Sequence, residues 1–210
     1  MKKNKKNQKG FTLIELLVVI AIIAILAVVV VLTLNPAELL RQARDSNRIS
    51  DFATLKSALG LYSEDVNTTT PMYGPGGTPS DTFYTAYGSA TNVIAAYTGN
   101  TAVTYGFTAT TSVNTYVLPV CTISSRLVDG TGWIPINFTA ITSGAPIGTL
   151  PIDPTNKGGL IYVYGATSTS YKLSTKMESA KYVTGGTADV QTNDGGNNVN
   201  AYEQGSNMQL

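Results

Sequence analysis

The chain has 210 residues, with 14 lysines and arginines, 13 aspartates and glutamates, no histidine and one cysteine. The lack of histidine excludes catalytic triads and metal sites built on an imidazole, and the single Cys121 excludes an intrachain disulfide. The net charge of +1 hides an uneven distribution, because residues 1–10 carry five lysines and no carboxylate. The remainder is mildly acidic, which argues against a dedicated nucleic-acid binder.

The lysine-rich start is followed by an apolar run, 11–34, whose only ionisable side chain is Glu15. As a helix this run would be about 36 Å long, enough to cross a hydrocarbon core of about 30 Å. Because lysines stay on the cytoplasmic side, the residues after Leu34 are predicted to lie outside the membrane. A cleaved secretory signal fits poorly, since the run is too long and no A-x-A-like site follows it. An uncleaved single-pass anchor remains an alternative.

The junction between the lysines and the apolar run reads Lys9-Gly10-Phe11-Thr12-Leu13-Ile14-Glu15. It resembles the class III signal of type IV pilins and of the pseudopilins of type II secretion systems, over roughly Lys9 to Ile25. The resemblance implies that prepilin peptidase cleaves after Gly10 and that the new terminus, Phe11, is methylated. Residues 1–10 would then be a cleaved leader, and residues 11–34 a transmembrane and assembly helix.

Glu15 lies inside this predicted membrane segment, where a carboxylate costs a few kcal/mol. A plain interpretation is that it reaches lipid headgroups from near the cytoplasmic end. The resemblance implies a partner instead, the cationic amine of Phe11 in a neighbouring subunit, because within one subunit the helix is expected to separate the two groups. Two charges about 4 Å apart attract by roughly 4 kcal/mol at an effective dielectric constant of about 20. We therefore expect Glu15 to direct subunit addition, without a catalytic role.

Asn35 and Pro36 interrupt the helical pattern, because proline donates no helix hydrogen bond and biases the residue before it away from helical dihedrals. Together with Glu38 they fit the Ncap, N1 and N3 positions of a new helix. The pattern predicts a helix break here and an amphipathic helix over 35–65. Its apolar face consists of Ile49, Phe52, Leu55, Leu59 and Tyr62.

The same helix carries Arg41, Arg44 and Arg48 at helical spacing. Such a cluster can bind phosphate in nucleic acid or lipid, but a solvated or salt-bridged face is the favoured interpretation. Asp45 and Asp51 offer local partners, each pair worth only tenths of a kcal/mol.

Residues 66–210 are rich in small, polar and tyrosine side chains and sufficient for one β-rich head domain. Short antiparallel strands punctuated by Gly and Pro are predicted at Val103–Thr108, Tyr116–Ile123, Trp133–Phe138, Ile161–Tyr164, Tyr171–Ser174 and Lys181–Val183. Alternation around Tyr162 and Tyr164 predicts a half-buried strand, whereas weak periodicity predicts an elaborate surface loop region over 67–115. Cys121 is interpreted as a small buried core residue. The expected fold class is α+β, with a long N-terminal helix, half membrane-spanning and half amphipathic, packed on an antiparallel sheet as in type IV pilins.

Two further segments of the head invite comparison with pilins and pseudopilins. Leu150-Pro151-Ile152-Asp153-Pro154 is similar to a turn of pseudopilins and many pilins, in which the prolines would rigidify the turn and Asp153 bind nearby amides. Major pseudopilins commonly hold calcium in a C-terminal loop, and residues 189–197 offer the hard oxygen ligands that calcium takes, namely Asp189, Asn193, Asp194 and Asn197. Their spacing does not match an EF-hand, so a Gly/Asn-rich loop is the favoured interpretation and no cofactor or metal is assigned.

The resemblance implies a structural pilus subunit that is anchored in the inner membrane and later becomes part of an extracellular filament. Its expected partners are other pilin subunits, prepilin peptidase, the pilus assembly machinery and membrane lipid. The main alternative is a pseudopilin that acts as a secretion piston. A surface enzyme or receptor on an uncleaved helix is a third interpretation. No enzymatic activity is predicted, because no P-loop, dinucleotide-binding turn or paired catalytic carboxylates stand out.

Overall fold

The computed structural model describes residues 10–66, 71, 72, 74, 82–85, 125–157 and 159–210. The chain forms two compact units, Met1–Leu40 and Arg41–Leu210. The regular elements in chain order are helices α1 (Leu13–Leu34) and α2 (Pro36–Asp65), followed by strands β1 (Thr82–Thr85), β2 (Val163–Ala166), β3 (Tyr171–Thr175) and β4 (Tyr202–Gly205). The predicted α+β class is confirmed.

The first unit is dominated by α1, which begins after the cap residue Thr12. α1 ends at Leu34, and Asn35 adopts a left-handed conformation with φ of 40°. Asparagine is one of the few residues with a side chain that tolerates this region. α2 then begins at Pro36, and the main-chain oxygen of Asn35 accepts a hydrogen bond from the Glu38 amide at 3.0 Å. Two separate helices therefore meet at Asn35.

The second unit contains an antiparallel sheet in the order β1-β2-β3-β4. β2 and β3 correspond to two predicted strands, although β2 begins at Val163 and not at Ile161. β1 lies within the stretch that was predicted as surface loop. β4 was not predicted at all, because Tyr202-Glu203-Gln204-Gly205 is short and polar.

The outer part of α2 supplies one wall of the head's core. The apolar face predicted for this helix is correct, since Phe52, Leu55, Leu59 and Tyr62 are fully buried and Ile49 packs against them. The rings of Phe52 and Tyr162 meet edge to face, with 5.1 Å between their centroids. Aromatic side chains on α2 and on the segment leading into β2 thus join the helix to the sheet.

Three details of the predicted sheet are wrong. Trp133–Phe138 forms an isolated bridge and a 3₁₀ turn, not a strand, because Pro135 has no N–H to give to a ladder. Lys181–Val183 is a turn, in which the amides of residues 182 and 183 both donate to the oxygen of Ser179. The strand around Tyr164 is buried on both faces and not half-buried.

Several predicted features lie outside the described residues. They include the strands at Val103–Thr108 and Tyr116–Ile123, the burial of Cys121, and most of the 67–115 loop region.

Candidate functional site

The predicted cleavage junction lies just before the first helix. Gly10 and Phe11 precede α1 and are exposed, with the Phe11 side chain 86% accessible. A side chain built at Gly10 would meet nothing within 4 Å. The Gly10–Phe11 peptide bond therefore lies outside the helix, between two exposed residues that an enzyme can approach.

Thr12 fixes where the helix starts. Its hydroxyl accepts a hydrogen bond from the Glu15 amide at 3.3 Å, and the Thr12 amide donates to Glu15 Oε2 at 2.8 Å. These reciprocal bonds form a capping box, which satisfies amides that the first turn of a helix leaves open. The sequence reasoning missed this role of Thr12, although the T-x-x-E spacing that signals a capping box was present.

The capping box also places the Glu15 carboxylate. Oε2 accepts hydrogen bonds from both the amide and the hydroxyl of Thr12, each at 2.8 Å. Among the residues that the structure describes, no hydrogen bond reaches Oε1 of Glu15. Because consecutive backbone nitrogens are at most about 3.7 Å apart, the Phe11 nitrogen lies within roughly 6.5 Å of Oε2. The carboxylate therefore lies beside the first turn of α1, bound to Thr12.

The rest of α1 presents apolar side chains in every direction. Between Leu13 and Val31 it is the one described helix that is long and apolar enough to cross a membrane, and none of this stretch is buried within the chain. Every large apolar side chain in this stretch is about half exposed or more. Such a surface requires lipid or other protein around it.

In the head, Arg48 is the centre of a buried ion-pair network that links α2 to two distant turns. Its guanidinium binds Asp153 in a bidentate manner, at 2.6 and 2.9 Å, and also lies 2.7 Å from Asp45 and 2.7 Å from Glu178. The side chains of Arg48, Asp45 and Asp153 are fully buried. Arg48 is thus part of the interior, which excludes it from a phosphate-binding surface.

The acidic members of this network also hold main-chain amides. Asp153 accepts hydrogen bonds from the amides of Thr155 and Asn156 at 2.7 and 3.0 Å, as the sequence predicted. Asp45 accepts one from the Ser179 amide at 2.8 Å. Sequence reasoning missed the network because Asp153 lies 105 positions after Arg48, and Ser179 lies 134 positions after Asp45.

Glu178 connects a second arginine to the same network. Arg44 binds it through two hydrogen bonds, at 2.9 and 2.7 Å. The Arg44 guanidinium lowers the pKa of Glu178 to about 2, with further help from Arg48. The cluster is therefore salt-bridged, the favoured interpretation of the sequence, but it is interior and not solvated around Arg48.

The two carboxylates considered for calcium, those of Asp189 and Asp194, each bind main-chain amides. Asp189 caps its own turn, accepting hydrogen bonds from the amides of Gly185, Gln191 and Thr192 at 2.8 to 3.0 Å. Asp194 accepts others from the amides of Gly196 and Glu203. In the part of the chain that the structure describes, no three His, Cys, Asp or Glu side chains are grouped as metal ligands.

Comparison with known proteins gives one match, at the N-terminus. Residues 5–31 match the family model described as the prokaryotic N-terminal methylation motif. No curated protein and no solved structure matches the chain. The motif is a processing and assembly signal and does not belong to an enzyme family. It implies processing by prepilin peptidase and assembly into pilus-like polymers.

The match spans the cleavage junction, the capping box and most of α1. Residues 5–31 carry the class III signal of type IV pilins and pseudopilins, and this signal supports a type IV pilin-like or pseudopilin precursor.

Proposed function

We propose that the chain is the structural subunit of a type IV pilus, serving adhesion, motility or DNA uptake through the filament. Prepilin peptidase cleaves after Gly10, Phe11 becomes the methylated terminus, and α1 anchors the subunit in the inner membrane. The observation that carries this proposal is the full exposure of an apolar α1 directly after an accessible Gly10–Phe11 bond. A helix of this kind is covered by lipid first and by other α1 helices after assembly.

The proposed subunit has four segments. Residues 1–10 are the leader, 11–34 the membrane and assembly helix, 35–65 the amphipathic helix and 66–210 the head. The break between the two helices lies at Asn35 and Pro36. Helix packing supplies most of the cohesion of the filament, because α1 has no other apolar partner among the described residues.

Glu15 has a defined part in this proposal. Its Oε2 is bound to Thr12, while Oε1 remains open to the Phe11 amine of an incoming subunit. A carboxylate without a cation would be costly in an apolar filament core. Pairing of Glu15 with that amine therefore sets the register of the added subunit, and the cleaved terminus supplies the missing charge.

A pseudopilin of a type II secretion system is the second candidate. It is favoured by the Leu150–Pro154 turn, whose Asp153 is held by Arg48 and by two backbone amides. Both candidates share cleavage and membrane insertion. The difference between them that can be measured is where the processed subunit accumulates.

Mass spectrometry of the N-terminal peptide distinguishes these functions. The peptide is compared between sheared surface filaments and washed envelopes from the same cells. Abundant N-methylated Phe11 in the sheared fraction is the result expected of a pilus subunit. Processed Phe11 confined to the envelope favours the pseudopilin. An intact Met1 terminus in both fractions overturns both.

A further inference from the structure

The head contains a lysine whose charged end is entirely inside the protein. Lys172 lies on β3, opposite Gly205 of β4, and its side chain has no solvent exposure. Its Nζ is 2.6 Å from Oε1 of Glu203, which is equally buried. A buried ammonium needs such a partner, because its desolvation is otherwise too costly.

Three more oxygens surround the same ammonium. Nζ donates hydrogen bonds to Asn197 Oδ1 at 2.7 Å and to the main-chain oxygens of Met208 and Leu210 at 3.1 and 3.2 Å. One side-chain carboxylate, one amide oxygen and two main-chain oxygens are ligand types that calcium takes in proteins. The group is thus an oxygen cage of the kind that binds a hard cation, and the ammonium of Lys172 lies within it.

The loop that forms the cage is shaped around Glu203. A side chain at Gly196 would overlap the Glu203 carboxylate, so only glycine permits this approach. Glu203 Oε2 accepts a hydrogen bond from the Asn198 amide at 2.9 Å, and the Glu203 amide donates to Asp194 at 2.6 Å. The two carboxylates are therefore engaged by the loop and by Lys172, and are not arranged around a separate metal ion.

We propose that Lys172 is the internal cation of the head, holding residues 194–210 against β3 in the way that a bound calcium ion would. Closure of the C-terminal segment then does not require a dissolved divalent cation. Removal of the ammonium alone leaves an oxygen cage that accepts calcium. This closure is a property of the head and is independent of whether the chain forms a pilus or a pseudopilus.

The first test is thermal unfolding of the processed full-length subunit in detergent, followed by the fluorescence of the buried Trp133. The wild-type protein is expected to unfold at the same temperature in EDTA and in millimolar calcium. A higher unfolding temperature in calcium than in EDTA overturns the proposal, because the wild-type head then depends on a divalent cation.

The second test removes the ammonium in two ways. Lys172→Ala empties the cage, and we expect the unfolding temperature to fall by roughly 10 °C in EDTA and to recover by at least half in calcium. Lys172→Met occupies the same space without charge and is expected to show the fall without the recovery. Lys56→Ala is the matched control, because Lys56 forms an exposed hydrogen bond to Gln204, the neighbour of Glu203 on β4. It should change little in either condition.

The double variant Lys172→Met/Glu203→Gln covers the case in which single variants do not fold. It removes both charges together, so it is expected to fold, with an unfolding temperature that is the same in EDTA and in calcium. Folding of Lys172→Ala only in calcium supports the proposal. Failure of Lys172→Ala to gain stability from calcium overturns the cation cage, whether that variant is folded or unfolded in EDTA.

Discussion

Arg48 of α2 and Asp153 of the Leu150–Pro154 turn form a fully buried bidentate ion pair, with Nε–Oδ2 at 2.6 Å and Nη2–Oδ1 at 2.9 Å. The pair connects the helix that follows the membrane segment to a turn 105 positions away. Since Asp153 also binds two amides of its own turn, the arginine fixes the main chain there as well as a side chain. The pair thus sets the position of α2 against this side of the head.

Replacement of Arg48 by methionine should destabilise the head strongly. Methionine fills much of the volume but leaves Asp45 and Asp153 buried without their cation, which costs about 3–5 kcal/mol. Urea unfolding of the processed subunit, followed by Trp133 fluorescence, measures the loss. Arg44→Met is the matched control, because the Arg44 side chain is one-third exposed and solvent weakens its ion pair, so the loss should be much smaller. Equal losses for the two variants would contradict the central role of Arg48.

The stability of the head should fall in acid partly through Glu178. Hydrogen bonding to Arg44 lowers the pKa of Glu178 from its ordinary value of 4.5 to about 2 in the folded state. The folded pKa is the lower one, so this stabilisation is complete above pH 4.5 and is lost as the pH falls towards about 2.

The comparison that isolates this effect is between the wild-type subunit and Glu178→Gln, by urea unfolding at a series of pH values. Their difference in free energy of unfolding should be constant above about pH 5 and shrink steadily below about pH 4. Asp189, whose pKa is also lowered to about 2, is present in both proteins and cancels. A difference that stays constant through the acid range would exclude Glu178 as its source.

The sequence predicted those parts of the fold that depend on local pattern. The apolar run gave α1, the three- and four-residue spacing of Phe52, Leu55 and Leu59 identified the buried face of α2, and the alternation around Tyr164 located β2. Local pattern failed where partners are distant. β4 carries the polar residues Glu203 and Gln204, and Glu203 is buried only because Lys172 lies beside it on β3.

The candidate site shows the same division. Gly10, Phe11 and Glu15 are predicted as site residues because their spacing resembles that of the class III signal, which is a local feature of the sequence. The hydrogen bonds between Glu15 and Thr12 are equally local and could have been predicted from the T-x-x-E pattern. The burial of Arg48 could not be predicted from the sequence, because helical spacing identifies Asp45 as a neighbour but not Asp153 or Glu178.

Thr12→Val should loosen the start of α1. Valine removes the hydroxyl that accepts from the Glu15 amide and donates to its carboxylate, and loss of such a cap costs about 1 kcal/mol. Amide hydrogen exchange at Glu15, measured by NMR on the processed subunit in micelles, should become roughly fivefold faster. Thr12→Ser retains the hydroxyl and should exchange like the wild-type protein. Exchange in Thr12→Val as slow as in the wild type would exclude the capping box.

Glu15→Gln separates the charge of this residue from its capping role. Glutamine can still form the capping box with Thr12, so α1 should begin at the same place and cleavage after Gly10 should continue. The amine of an incoming Phe11 loses its anionic partner, however. In a strain without wild-type subunits, we expect the yield of sheared filaments to fall roughly tenfold or more. Electron microscopy and protein quantification of the sheared fraction measure this yield.

Two companion variants show which feature of Glu15 is required. Thr12→Val keeps the charge and loses the cap, whereas Glu15→Val loses both. If the charge recruits the incoming subunit, filament yield should follow the charge, so that Glu15→Gln resembles Glu15→Val and Thr12→Val retains more assembly. Mass spectrometry of the envelope must show the processed Phe11 terminus in each variant, which excludes failed cleavage as the cause. Normal filaments from Glu15→Gln or Glu15→Val would refute a role of this carboxylate in assembly.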